Sequence, residues 1–290
     1  MSRLPGKKLQ SAMEYLITYG WALLILAVAI VALFELGVFN SNYFTSKASA
    51  GGCEVYRPNG PNTVTQITLS GLCNGEMPQY VAQFNGQSNV IATSNTNLLA
   101  STPRSLFAWV YPRTTGGTTV FSEGVTGSGN MYLINNGNLF VDIWGGCYSY
   151  VSTESVPLNQ WSFVGWVYNP AANSLAYYIN GQQEGGQGSV TCMFHPDSSQ
   201  FIIGMPPASS SDTSYTGSIS NLQLYNTALS ANDIKAMYLE GIGGAPINLR
   251  NLVGWWPLNG DSKDYSGNNN NGQASNVVFS DTWYSSYTAP

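Results

Sequence analysis

The sequence predicts an N-terminal membrane-spanning α-helix followed by an all-β sandwich with one short helix. From Tyr15 to Phe34 about 20 consecutive residues carry no charge, which matches the length of helix that crosses a hydrocarbon core. In the 290-residue chain only 9% of residues are charged, while Gly (31 copies) and Tyr (18 copies) are abundant. This composition suits short strands joined by many turns better than it suits helices.

The charges around the apolar segment predict its orientation. Arg3, Lys7 and Lys8 precede it, and the positive-inside rule therefore leaves the N-terminus in the cytoplasm and exports the rest. We expect a protein of the cell membrane with its C-terminal domain outside, or of an extracellular filament. A cleaved secretory signal and a buried core helix are the alternatives. Both fit less well, because a signal's apolar region is shorter and a core helix is rarely apolar all round.

The stretch KKLQSAMEYLITYGWALLILAVAIVAL resembles the archaeal type IV pilin-like (class III) signal sequence. The resemblance implies that a prepilin-peptidase-like enzyme cuts between Leu9 and Gln10 and removes the basic leader, residues 1–9. It also implies that Glu14, at the fifth position after the cut, pairs with the new N-terminal amine of a neighbouring subunit, because a lone carboxylate in lipid is costly. Residues 10–39 would then serve as membrane anchor and filament core.

Residues 40–78 are predicted to form a linker and a small disulfide-stapled hairpin. NSNYFTSKASAGG is small and polar, and a Pro-Asn-Gly-Pro turn then separates two short strand-like runs. In an oxidising compartment the four cysteines become disulfide candidates, with three possible connectivities. We expect Cys53–Cys73 to close the hairpin and Cys147–Cys192 to form the second bridge.

From residue 79 onward, strand signals recur with turns between them, which predicts a sandwich or barrel. The runs are YVAQF, NVIAT, SLFAWVYP, TTVFSE, MYLIN, LFVDIWG, WSFVGWVY, SLAYYIN, QFIIG and SISNLQLY. Three Asn-Gly pairs, beginning at Asn85, Asn136 and Asn180, suit hairpin turns that require positive φ. The segment LSANDIKAMYLEGI predicts the one helix, with Ser230 as N-cap, Asp233 completing a capping box, and Gly241 ending it.

The ordered series AQFNGQSNVI, SLFAWVYP, LNQWSFVGWVYNPAANSLAYYINGQ, FIIG and TGSISNLQLYNTALSANDIKAMYLEGI resembles the laminin-G-like or concanavalin A-like jelly roll. The resemblance covers roughly Gln79 to Gly241. The tail carries LVGWWPLNGDSKDYSGNNNNG, which looks like the segment that normally begins such a domain. Residues 250–290 therefore either close the same sandwich or start a truncated second copy. We expect closure, giving one domain over residues 79–290, because so short a segment cannot form its own sandwich.

Two ligand sites are predicted. Laminin-G-like domains often bind calcium through Asp and loop oxygens, so the resemblance implies Asp264, Asn268 and Asn270 as Ca²⁺ ligands, against the alternative of an Asx-rich turn. The side chains that could stack on a sugar are aromatic residues flanking Cys147, which could equally belong to the core. They are Trp144, Tyr148 and Tyr150.

The predicted function is adhesion to a glycan or to a surface protein, without catalysis. The net charge of −5 argues against nucleic acid, because phosphate binding needs clustered Lys and Arg. A surface glycoside hydrolase is the weakest alternative, since the acids show no closely spaced strand pair of the kind that glycosidases use. The other alternative is a non-polymerising structural envelope protein. The expected partners are the membrane, identical subunits of a filament, and a carbohydrate or cell-surface protein.

Overall fold

The computed structural model describes most of the C-terminal domain and part of the N-terminal region. The chain divides into two compact units, Met1–Lys47 and Ala48–Pro290. The described residues are 19–31, 53–58, 64–69, 77–93, 98, 101–125, 128–143, 147–148, 151–187, 200–207 and 213–290.

Helix α1 covers residues 19–31 of the first unit. Its side chains are apolar on all sides and all of them are exposed, including Trp21 at 64% and Leu23 at 65%. The helix lies within the predicted range 10–39, whose remaining residues fall outside the described part, as do Leu9, Gln10 and Glu14. Within the described residues, no helix combines the length and the apolar character that crossing a membrane requires.

A separate two-stranded hairpin opens the second unit. Strands β1 (Cys53–Pro58) and β2 (Val64–Leu69) pair antiparallel, with Cys53 opposite Leu69. These strands lie where the sequence predicts the hairpin. The predicted disulfides fall outside the described residues, because Cys73 and Cys192 are not described and only the backbone is described at Cys53 and Cys147.

In the part of the chain that the structure describes, two further sheets of eight strands each form a sandwich. The first sheet contains β3 (Val81–Asn85), β5 (Arg104–Pro112), β10 (Ser162–Asn169), β11 (Ser174–Ile179), β12 (Gln182–Gln187), β15 (Thr216–Tyr225), β16 (Leu252–Trp256) and β18 (Val278–Ser280). The second contains β4 (Asn89–Thr93), β6 (Thr118–Val125), β7 (Ser128–Asn135), β8 (Asn138–Ile143), β9 (Cys147–Tyr148), β13 (Gln200–Ile203), β14 (Thr213–Ser214) and β17 (Gly272–Ser275). Short 3₁₀ turns lie at Pro170–Ala172, Leu249–Asn251 and Tyr284–Ser286.

The strand order and the turns define the topology of the sandwich. The first sheet runs β12-β11-β10-β5-β15-β3-β18, with β16 also paired to β15, and the second runs β17-β4-β13-β6-β7-β8-β9. Among the described strand pairs, only β14 and β6 are parallel. At Asn136-Gly137 and Asn180-Gly181 both residues have positive φ, as the hairpin prediction requires. The prediction is wrong at Asn85-Gly86, where only Gly86 has positive φ, because the chain there passes from β3 in the first sheet to β4 in the second. The all-β sandwich prediction is confirmed.

The C-terminal tail contributes strands to both sheets. β16 pairs with β15, β18 pairs with β3, and β17 pairs with β4 in the second sheet. Trp256 lies opposite Leu222 of β15 and is fully buried between the sheets. The tail is therefore part of the same sandwich.

The apolar side chains form two clusters on opposite faces of the first sheet. Between the sheets lie side chains such as Phe121, Phe201 and Trp256. On the other face, which we call the outer face, Phe107, Trp109 and other aromatic side chains pack against a helix and the end of the chain. That arrangement buries both surfaces of the first sheet over much of its area.

The helix on the outer face is α2 (Ala231–Leu239). Ser230 accepts a hydrogen bond from the backbone N–H of Asp233, and the Asp233 side chain accepts one from the N–H of Ser230, so the predicted capping box is present. Gly241 follows the helix with a φ of +79°. The Trp109 indole N–H donates to the Gly241 carbonyl at 3.1 Å and ties the end of the helix to the sheet.

One buried ion pair joins the two sheets. Arg104 begins β5 of the first sheet and Glu123 lies in β6 of the second, and both side chains are fully buried. The Arg104 guanidinium contacts the Glu123 carboxylate and also donates to the Leu98 carbonyl at 3.0 Å. An ion pair in an apolar interior is stable only with such added hydrogen bonds, and losing one partner would leave a buried charge.

A candidate binding pocket on the outer face

An open pocket of about 520 Å³ lies on the outer face, beside the C-terminal end of α2. Its walls come from segments far apart in sequence: the residues before β3, strands β15 and β16, the turn after α2, and the loop after β16. The volume falls within the range of roughly 300–1,000 Å³ that is typical of small-molecule sites. We call it the Trp255 pocket.

Two aromatic rings shape the Trp255 pocket. The ring centroids of Trp255 and Tyr265 lie 6.2 Å apart at an interplanar angle of 67°, and Tyr265 is 55% exposed. Trp255 is half-buried, whereas its neighbour Trp256 is fully buried. Successive side chains of a strand point to opposite faces, so β16 sends Trp256 into the core and Trp255 to the outer face.

Asn221 fixes the orientation of Trp255. Its side-chain oxygen accepts hydrogen bonds from the Trp255 indole N–H at 2.7 Å and from the Gln223 amide at 2.9 Å. Its side-chain amide donates to the Gly244 carbonyl at 2.7 Å. Asn221 has a φ of +52°, at a register shift between β15 and β5, and Asn tolerates this left-handed conformation better than most residues.

The loop after β16 carries the polar wall of the pocket. Tyr265 donates its hydroxyl proton to the Asp261 carboxylate at 3.1 Å, and the Asn259 side-chain oxygen accepts from the backbone N–H of Tyr80 at 2.8 Å. The hydrogen bond to Asp261, then burial and the Asp261 charge, raise the pKa of Tyr265 above its ordinary 10.0. Tyr265 therefore stays protonated at neutral pH.

Leu258 gives this loop an unusual backbone. Among the described residues with positive φ that are not Gly, all are Asn except Leu258, whose φ is +57°. Its side chain is fully buried in the core between the sheets. A left-handed Leu costs roughly 1–2 kcal/mol, and such strain persists only where the surrounding structure imposes it. Burial of Leu258 holds the flanking Pro257 and Asn259 at the pocket wall.

The three predicted calcium ligands lie together within the loop after β16, where they form hydrogen bonds to the protein itself. The Asp264 carboxylate accepts from the backbone N–H groups of Trp255 (3.0 Å), Ser266 (2.8 Å) and Asn270 (2.9 Å). The Asn268 and Asn270 amides donate to the Val253 carbonyl at 3.0 and 2.8 Å. These bonds hold the loop against β16.

Calcium ligation by Asp264, Asn268 and Asn270 stays a prediction. Of about four lone-pair sites on the Asp264 carboxylate, three already face N–H donors, which leaves little room for a cation at that group. Within the part of the chain that the structure describes, no three His, Cys, Asp or Glu side chains are grouped so that they could hold a metal ion.

The predicted sugar-stacking side chains lie outside the described part of the chain. Trp144 and Tyr150 are not among the described residues, and for Tyr148 only the backbone in β9 is described. Trp255 and Tyr265 are pocket residues that were not predicted as ligand-binding. The available signal was the pair Trp255-Trp256 within a strand-like run, because the alternation of a strand buries only one of two such neighbours between the sheets.

The described strands form a two-sheet, almost entirely antiparallel sandwich with a pocket on the outer face of the first sheet. The family model of the concanavalin A-like lectin/glucanases superfamily, of the laminin G type, matches residues 85–235, more than half of the chain. The chain belongs to this family. No curated protein sequence matches it.

Solved structures share the fold at low sequence identity. A proposed carbohydrate-binding protein from Bacteroides ovatus superposes with a TM-score of 0.58 and 18% identity, over 75% of this chain and 63% of the other. The chain thus spans less than two thirds of that protein. A native heptameric SAP-like pentraxin from Limulus polyphemus gives a TM-score of 0.52 and 15% identity, over 70% of this chain and 95% of the other. At these sequence identities the likeness is a likeness of fold alone.

Proposed function

We propose that this protein is a cell-surface adhesin whose sandwich domain binds carbohydrate in the Trp255 pocket and whose apolar N-terminal segment anchors it in the membrane or in a filament. The observation that carries the binding role is the pocket itself: two aromatic rings beside the polar groups of Asp261 and Asn259. Aromatic faces stack on the apolar C–H face of a sugar, while carboxylate and amide groups bind its hydroxyls. The membership of the family supports the same role.

The side chains of the pocket are held in place by the protein itself, which also supports a binding role. The Trp255 indole is held by Asn221, and the Tyr265 hydroxyl is held by Asp261. A ligand therefore does not have to order these side chains, and less free energy is lost on association. A pocket that is held open in this way suits a binding protein.

Helix α1 supports the anchoring part of the proposal. Its apolar side chains are exposed on every side, which is unfavourable in water and favourable in lipid or against identical helices. Cleavage between Leu9 and Gln10 and pairing of Glu14 with a neighbouring subunit belong to the filament form of this proposal. The runner-up is a non-polymerising envelope protein with the same anchor.

The binding role is tested with the full-length protein in detergent on a glycan array. We expect Trp255→Ala and Tyr265→Ala each to lower the affinity for the bound glycan by about tenfold, since an aromatic contact contributes up to about 1.5 kcal/mol beyond its buried area. Leu249→Ala is the control, because Leu249 is 70% exposed and does not line the pocket. An unmodified protein that binds no glycan, or binding that survives both aromatic changes, would contradict the proposal.

The anchoring role is tested by flotation of membranes from producing cells, combined with immunoelectron microscopy using antibody to the sandwich domain. We expect the protein to float with membranes or to decorate surface filaments. Filaments would favour the polymerising form, and membranes without filaments would favour the envelope protein. Recovery of the full chain only in the soluble fraction would refute anchoring.

A further inference from the structure

Three side-chain donors that line the Trp255 pocket already bond to groups of the protein itself. The Tyr265 hydroxyl donates to Asp261, the Trp255 indole donates to Asn221, and the Asn221 amide donates to the Gly244 carbonyl. The backbone N–H of Ile242, another lining residue, donates to the Tyr287 hydroxyl at 3.1 Å. These four donors are therefore not available to a ligand, whereas the carboxylate oxygens of the pocket can accept further hydrogen bonds.

The charge of the pocket has the same bias. Among the residues that the structure describes, its lining includes two acidic residues, Glu240 and Asp261, and no Lys or Arg. Glu240 is the C-cap of α2, and the last turn of that helix has no basic residue. The carbonyls at a helix C-terminus carry about half a negative charge, so the helix end adds to the two carboxylates.

One lysine lies close to this group and does not reverse the balance. The Lys263 ammonium is 3.9 Å from the Asp261 carboxylate, with its side chain 70% exposed. Ion pairs at such exposed positions contribute about 0–1 kcal/mol, because water and salt screen them. Lys263 is not among the described lining residues, so the charged side chains that a ligand faces there are carboxylates.

We infer that the Trp255 pocket selects sugars without negative charge and binds amine-bearing sugars more tightly than their neutral counterparts. This inference rests on the proposed carbohydrate site. A sialic, uronic or sulfated sugar carries negatively charged acceptor groups. In the pocket these groups would meet the carboxylates of Glu240 and Asp261, which repel them. A hydroxyl or ammonium group can donate to the carboxylate oxygens of Glu240 and Asp261, which have further lone pairs, and an ammonium group is also attracted by the faces of Trp255 and Tyr265.

The first experiment is a glycan array that contains sialylated, uronic, sulfated, neutral and amine-bearing glycans, probed with the full-length protein and with Trp255→Ala. We expect the bound glycans that depend on Trp255 to be neutral or amine-bearing. Binding of an anionic glycan that is lost in Trp255→Ala would overturn the selectivity while leaving the carbohydrate site intact. No glycan bound at all would instead remove the proposed function, and with it this inference.

The second experiment measures the charge effect by calorimetry with chitin oligosaccharides and their de-N-acetylated forms of equal length, under mildly acidic conditions in which the amines are protonated. We expect the amine form to bind about tenfold more tightly in low salt, and high salt to reduce this ratio. Replacing both carboxylates by amides, Glu240→Gln with Asp261→Asn, should reduce the ratio to about twofold or less.

The control is Glu154→Gln, which removes one negative charge by the same kind of substitution at an exposed residue outside the pocket. We expect this variant to keep the full ratio between amine and N-acetyl forms. An equal affinity of the unmodified protein for the two forms, or a ratio that Glu154→Gln lowers as much as the pocket variant does, would overturn the inference. Thermal unfolding of each variant shows whether its fold is intact.

Discussion

The two faces of the first sheet differ in what they bury and in what they leave open. Between the sheets the described packing is mainly apolar around the ion pair of Arg104 and Glu123, and Trp256 contacts Phe121 and Phe201 there. The outer face is aromatic, but its rings carry polar groups that bond to helix ends and turns, as Trp109 does with Gly241. The inner face holds the sandwich together, and the outer face has room for a binding site where α2 ends.

Neighbouring residues of one strand can therefore have separate roles, because their side chains lie on opposite faces of the sheet. Trp255 and Trp256 have the same side chain and adjacent positions, yet one shapes the pocket and the other fills the core. Substitutions of buried residues on the inner face should therefore lower the free energy of unfolding. Substitutions of the exposed pocket residues on the outer face should mainly lower the affinity for glycans. Three sets of substitutions test this contrast.

The largest loss of stability is expected for Glu123→Ala. The change leaves the Arg104 charge buried between the sheets without its carboxylate, and breaking a buried pair in this way costs about 3–5 kcal/mol of the free energy of unfolding. The double variant Arg104→Met with Glu123→Leu replaces the pair by apolar groups and should recover most of this loss. Urea unfolding measures both. A double variant no more stable than Glu123→Ala would show that the pair's geometry, and not its isolated charge, matters most.

The next test compares the two tryptophans directly. We expect Trp256→Ala to lower the free energy of unfolding by about 3–5 kcal/mol through the cavity it leaves. Trp255→Ala should cost only about 1–2 kcal/mol, mainly for the hydrogen bond that it removes from Asn221, and should abolish most glycan binding. Denaturant unfolding and the glycan array give the two readouts. Equal losses of stability would refute the division of roles between the faces.

The smallest effect is expected at the start of α2, the helix that covers the outer face. Ser230→Ala removes half of the capping box and should lower the free energy of unfolding by about 1 kcal/mol. Asn232→Ala, in the same exposed turn, is the control and should change it by less than about 0.5 kcal/mol. Thermal unfolding followed by circular dichroism compares them. A Ser230→Ala variant as stable as the control would mean that packing against Trp109 alone fixes the helix.

The sequence by itself determined the features that depend on local chemistry. Alternating apolar residues predicted the strands, Asn136-Gly137 and Asn180-Gly181 predicted hairpin turns, and Ser230 with Asp233 predicted the start of the helix. Each of these signals acts between residues a few positions apart. Such short-range preferences of backbone and side chain can be read without knowing the rest of the fold.

The tertiary structure alone decided where the site lies. The Trp255 pocket joins β15, the end of α2 and the loop after β16, and the roles of Trp255 and Trp256 depend on which face of β16 meets the second sheet. The same holds for Arg104 and Glu123, which meet across the two sheets. Contacts between distant segments arise from the packing of whole sheets, and no local pattern in the chain specifies them.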